Sequence, residues 1–232
     1  LKAAALLVIF FLLLMISPAF TGQSLGYSTF IYYYDDHWAL DSTHWNKDVL
    51  KVYRPNTHDN NIDYHQLTDA AIRTWVWYLN QETNSTNFKV EFVDNAKDAD
   101  IEFGYYYTIE TSVAGMADCT YSDYEFEHCK ISMITHFVDE EDKLVYAFDE
   151  GQIYSLALHE FGHAIGLGHP LNENKEEPLN PMHNEGLADR EGIAEHVDKL
   201  SLEALLNVYT DDGFGGYNKL AGTNIYHLSS GT

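Results

Sequence analysis

The sequence predicts an α/β (α+β) fold on three observations. Short runs alternate apolar and polar residues, as strands do. Two longer segments repeat apolar residues at helical spacing. The first such helix lies between two strand-like runs. Residues 48–55, DVLKVYRP, read as a strand stopped by proline. Asp63 with Gln66 three residues on resembles a capping box, and Leu67, Ala70, Ala71, Trp75 and Leu79 mark one helical face beyond it. FKVEFV (88–93) and ADIEFGYYY (99–107) alternate as strands, so strand–helix–strand order predicts parallel pairing through a right-handed crossover. Residues 113–121 and 128–137 predict a hairpin. Asp149 with Gln152 predicts the start of a second helix, carried by Ile153, Leu156, Ala157, Phe161 and Ala164. A third helix is expected from Ser201 as N-cap, through Leu202, Leu205, Leu206 and Tyr209, ending near Thr210. The aromatic-rich stretch 20–46 reads as a lead-in, 47–210 as the domain, and 211–232 as a Gly-rich tail. There is no internal repeat.

The 232 residues carry 13 Lys and Arg against 36 Asp and Glu, a formal net charge of −23. Such a chain repels nucleic acid and anionic membrane surfaces. Its acids are scattered, as on a solvated surface, although hard carboxylate oxygens also suit structural Ca²⁺ sites. No D-x-[DN]-x-[DN]-G loop is present. Residues 1–19 read as a signal peptide: Lys2, an apolar run over 3–16, then Ser17 and Ala19 at the −3 and −1 positions. An uncleaved signal anchor is the alternative. The expected product is a secreted monomer. Cys119 and Cys129, with nine residues between them, suit a disulfide closing a hairpin across its base, free thiols being the alternative. No C-x-x-C spacing points to zinc ligation by them. Asn84, Ser85 and Thr86 form a glycosylation sequon.

The chemistry concentrates in HEFGHAIGLGH, residues 159–169. On a helix, positions i and i+4 share a face, so His159 and His163 can present two imidazole nitrogens to one point. A third ligand on the same straight helix would point elsewhere. Gly166 can take the left-handed conformation that ends a helix, and Gly168 keeps the return path uncrowded, so His169 can reach back. Three protein ligands leave a fourth position on Zn²⁺ for water, the mark of a catalytic site. Glu160 adjoins the first ligand and is not spaced to be one. Zinc acidifies its water, and the carboxylate can take the proton and hand it to a leaving amine.

At these residues the chain resembles the metzincin metalloproteases, and among them the matrixins, the matrix-metalloprotease-like branch. The family pattern H-E-x-x-H-x-x-G-x-x-H matches His159, Glu160, His163, Gly166 and His169. The resemblance implies a metzincin catalytic domain. Its five-stranded mixed twisted sheet lies above a cleft, with three main helices and the zinc helix beneath. Met182, in LNPMHNEG, matches the methionine turn that floors the zinc site. The resemblance covers roughly residues 49–209, and outside the motif it is one of element order. Pro170 and His183 depart from the residues that matrixins commonly place there.

The expected protein is a secreted zinc endopeptidase. Glu160 would be its catalytic residue and His159, His163 and His169 its metal ligands. An extended peptide substrate would pair with the edge strand at residues 114–119, and residues 185–196 would shape the pocket beyond the scissile bond. Two rivals differ in class. One is an inactive extracellular binding module that keeps zinc for stability, which would not need Glu160. The other is an acidic, calcium-binding surface protein with a vestigial motif.

Overall fold

The computed structural model describes residues 31–34, 38–41, 43–59, 61–107, 113–138, 144–170, 182 and 197–217. The stretch expected to be a signal peptide (1–19), His183, residues 185–196 and the tail after 217 lie outside the described residues, as does the side chain of Pro170. Two N-terminal strands, β1 (Ile31–Tyr34) and β2 (Trp38–Asp41), pair antiparallel. Then come β3 (Leu50–Tyr53), the short antiparallel pair β4 (His58–Asp59) and β5 (Ile62–Asp63), helix α1 (Tyr64–Glu82), β6 (Val90–Val93) and β7 (Ile101–Tyr106). A hairpin of β8 (Gly115–Ser122) and β9 (Glu125–Ile134) leads to a second, of β10 (His136–Val138) and β11 (Val145–Ala147). Helix α2 (Glu150–Ala164), strand β12 (Leu167–Pro170), helix α3 (Lys199–Val208) and the pair β13 (Tyr209–Thr210) and β14 (Gly213–Tyr217) complete the order.

The main sheet has five strands in the order β6-β3-β7-β9-β8. It is mixed. β3 runs parallel to β6 and β7, β7 parallel to β9, and the hairpin makes β8 antiparallel to β9. Alternation gives the sheet two unlike faces. Leu50, Val52, Ile101, Phe103, Cys129, Ile131 and Met133 are buried on one, against Ala71, Ile72, Trp75 and Leu79 of α1 and Leu156, Ala157, Phe161 and Ala164 of α2. On the other face Asp118 opposes Lys130, and Lys130 opposes Glu102, a row of opposite charges across three strands.

The helix starts reflect local chemistry. Asp63 accepts from the Gln66 amide at 3.0 Å and caps α1. Asp149 accepts from the Gln152 amide while the Gln152 side chain accepts from Asp149, a complete capping box that starts α2. The start of α3 differs from expectation. Asp198 is the N-cap, accepting from the Ser201 amide at 3.0 Å, and Ser201 is buried inside the first turn. Asp and Ser are equally good caps, so residue type alone did not separate them.

Both domain limits also move outward. Trp45, in the stretch read as a lead-in, is fully buried, and the neighbouring His44 bonds the β8–β9 turn through the Tyr124 carbonyl and Phe126 amide. At the other end Phe214 is fully buried edge-on to Phe88 and Tyr209, so the packed body continues past Thr210. Large aromatics isolated in polar sequence carry no periodicity, so their burial left no pattern to read.

Candidate metal centre

Helix α2 places His159 and His163 one turn apart, and β12 returns His169 to them. Their Nε2 atoms form a near-equilateral triangle, 3.0 Å, 3.1 Å and 3.2 Å on its sides. Three ring nitrogens so close together can share a hydrogen bond or present their lone pairs to one ion. A triangle of that size has its centre about 1.8 Å from each corner, so one ion at the usual zinc–nitrogen distance of about 2.0–2.1 Å would be within reach of all three nitrogens. Among the described residues this is the one group of three His, Cys, Asp or Glu side chains placed to hold a metal ion.

The second nitrogen of His163 fixes its role. Nδ1 lies 2.7 Å from the Leu167 carbonyl, which can only accept, so Nδ1 carries the hydrogen and Nε2 keeps its lone pair. Burial, with the neighbouring His169 adding to it, lowers the His163 pKa to about 4, against a smaller raising effect from the Leu167 carbonyl. The ring is therefore neutral at pH 7, the form that binds metal.

The turn between the ligands is held from three directions. Gly166 has φ +114°, where a side chain would be strained, and the chain reverses there. β12 then pairs antiparallel with β2, so His169 lies on a strand and not in a loose loop. The last carbonyls of α2 have no helical donors left. The Trp45 indole donates to Ala164 O at 2.8 Å, and the Tyr209 hydroxyl donates to Ile165 O at 3.1 Å while accepting from the Trp45 amide at 3.0 Å. Cys129, joined to Cys119 across the β8–β9 pair, places its sulfur 3.9 Å from the same Ala164 carbonyl. The disulfide lies within the hairpin and not at its base, since pairing continues on its far side through Gly115 and Met133.

Met182 is fully buried beneath this turn of helix. It packs on Gly162, between the first two histidines: a Cβ added there would meet Met182 Sδ at 2.4 Å and Trp75 Cζ2 at 3.1 Å. Trp75 of α1 also donates its indole hydrogen to Leu158 O at 2.8 Å, tying α1 to the ligand helix.

Glu160 is only 3 % exposed, its Oε2 has no hydrogen-bond partner in the protein, and burial raises its pKa to about 8. A buried carboxylate oxygen without a partner is costly, which makes Glu160 a candidate functional group. On the sheet side the carboxylate faces Gly115 of β8. β8 is the sheet's edge. Ala114 accepts from the Ile134 amide at 2.8 Å. By antiparallel alternation, the N–H and C=O groups of Gly115, Ala117 and Cys119 then point away from β9.

The structure thus brings together His159, His163 and His169, with Glu160 adjacent in sequence and Met182 below. It joins the two cysteines. The residues that escaped sequence reasoning are Trp45, Gly162 and Gly115; Tyr209 was expected on the face of α3, but it lies in β13 and its hydroxyl holds the end of α2. Each acts through a contact distant in sequence; only the glycines gave a signal, as small residues inside a helix and a strand. No protein-family model matches the chain, and no curated protein matches it in sequence. Among the described residues no helix is long and apolar enough to cross a membrane.

Proposed function

We propose that this protein is a secreted zinc-dependent endopeptidase of metzincin, matrixin-like type. The observation that carries the reading is the convergence of three Nε2 atoms about 3 Å apart, with the buried, unpartnered carboxylate oxygen of Glu160 on the residue next to the first of them. An all-imidazole donor set suits Zn²⁺ with one position left open. Zinc bound there supplies Lewis acidity, toward water and toward a carbonyl oxygen. His159, His163 and His169 hold it, and the Leu167 carbonyl keeps His163 in the tautomer that can. Glu160 takes the proton from attacking water on its free oxygen and returns it to the amine that leaves. Burial raises its pKa to about 8, and a dication bound nearby would favour the ionised form that accepts a proton. The outward N–H and C=O groups of β8 pair with an extended peptide and hold it in register.

Glu160→Gln tests the reading. It keeps the three histidines, so zinc content should be unchanged, while kcat/KM on a cleaved peptide should fall by about 10²–10⁴-fold. A variant that holds zinc and still cleaves at near wild-type rate removes Glu160 from the mechanism. Wild-type protein that holds zinc and cuts nothing in a broad peptide pool supports the binding module instead.

A further inference from the structure

Gly115 opens the edge strand, and its backbone does not require glycine, since the glycines with positive φ among the described residues are Gly166 and Gly213. Glycine inside a strand costs about 0.5–1 kcal/mol relative to alanine, so another cause is needed. Space supplies it. A Cβ built on Gly115 would stand 2.3 Å from Glu160 Oε1, 2.7 Å from its Cδ and 2.8 Å from its Cγ. Real Cβ atoms essentially never stand so close, so the end of the Glu160 side chain would have to shift. The next residues of the strand with the same orientation, Ala117 and Cys119, do carry side chains, so the gap is confined to the point opposite the carboxylate.

Resting on the peptidase reading, we infer that Gly115 is a positioning residue for Glu160. The missing side chain lets the carboxylate lie against the strand backbone, and that backbone stops it from swinging further toward the sheet. The strand that would register the substrate therefore also places the proton acceptor. Substrate carbonyl and carboxylate are set from one surface, and errors in either position are shared.

Alanine at 115 would force the carboxylate to retreat by about 1 Å to reach ordinary contact distance, and displacements of that size cost about 10²-fold in well-aligned reactions. The loss should fall on kcat, because the edge groups that bind peptide are backbone and remain. The test uses the full chain with zinc bound, carrying Gly115→Ala and Glu160→Ala singly and together. Gly115→Ala should lower the melting temperature when Glu160 is present and not in the Glu160→Ala background. With Glu160 present it should lower kcat by about 10–100-fold at unchanged zinc content, with KM within about threefold. Equal melting penalties in the two backgrounds would overturn the contact. A coupled melting penalty with unchanged kcat would overturn the positioning role. If wild-type protein itself cleaves no peptide, the peptidase reading fails and takes the positioning role with it. That case is told apart because the wild type, not only the variant, is silent.

Discussion

His163 is the residue on which the proposed metal centre turns. One ring nitrogen is committed to the Leu167 carbonyl and the other lies within 3.1 Å of both partner histidines. It sits on α2 and bonds into β12, so it joins the two elements that carry the ligands. His163→Ala should therefore remove most of the zinc measured by elemental analysis, and full retention would sink the ligand assignment. At this scale the sequence was most legible. The i, i+4 spacing and the glycine before the return are local facts, and local facts survive in one dimension. Gly115 was not legible, because its meaning lies 45 residues away in the Glu160 side chain. Nothing near it in the chain distinguishes a glycine kept for space from one that merely weakens a strand.

Among elements, α2 was the most readable and is also the most heavily held. Its N-terminus is closed by its own capping box, written within four residues. Its C-terminus is closed by Trp45 and Tyr209, which come from opposite ends of the packed body. Trp45→Phe tests the second closure. Phenylalanine keeps a ring against Phe126, 5.2 Å away between centroids in the wild type, but cannot donate to Ala164 O. Leaving a buried carbonyl short of its donor costs about 1–3 kcal/mol. Urea denaturation should show a lower midpoint with an unchanged slope; an unchanged midpoint would mean that the carbonyl finds another donor. The β8–β9 turn shows the limit of reading elements from composition. Its two corner residues with positive φ are Asp123 and Tyr124, at 51° and 68°. The Asn-Gly or Asp-Gly signature of such turns is absent. The hairpin was visible only through the alternation of its arms, and the His44 bonds that brace the turn come from outside it.

For the molecule as a whole, the five-stranded mixed sheet and the three helices match the order of apolar runs closely. The limits of the packed body do not. Periodicity locates elements that repeat, whereas Trp45 and Phe214 each fill the core as single large side chains in polar surroundings. Charge patterning was legible only as a surface: the Asp118, Lys130 and Glu102 row lies on the sheet face away from the helices.

If His169 binds the proposed ion, the three-stranded arrangement β1-β2-β12 makes it a thermodynamic partner of the N-terminal segment. A bound ion that holds His169 in place also favours the state in which β12 is paired with Trp38–Asp41. Reciprocity then applies: whatever factor the ordered segment contributes to zinc affinity, zinc contributes to the ordering of the segment. Limited proteolysis should cut near residues 31–41 sooner after the metal is stripped. Protein already nicked there should bind zinc more weakly by a matching factor, within the roughly 5–150-fold range usual for coupled sites. Equal cutting rates with and without zinc would uncouple the strand from the ligand it carries.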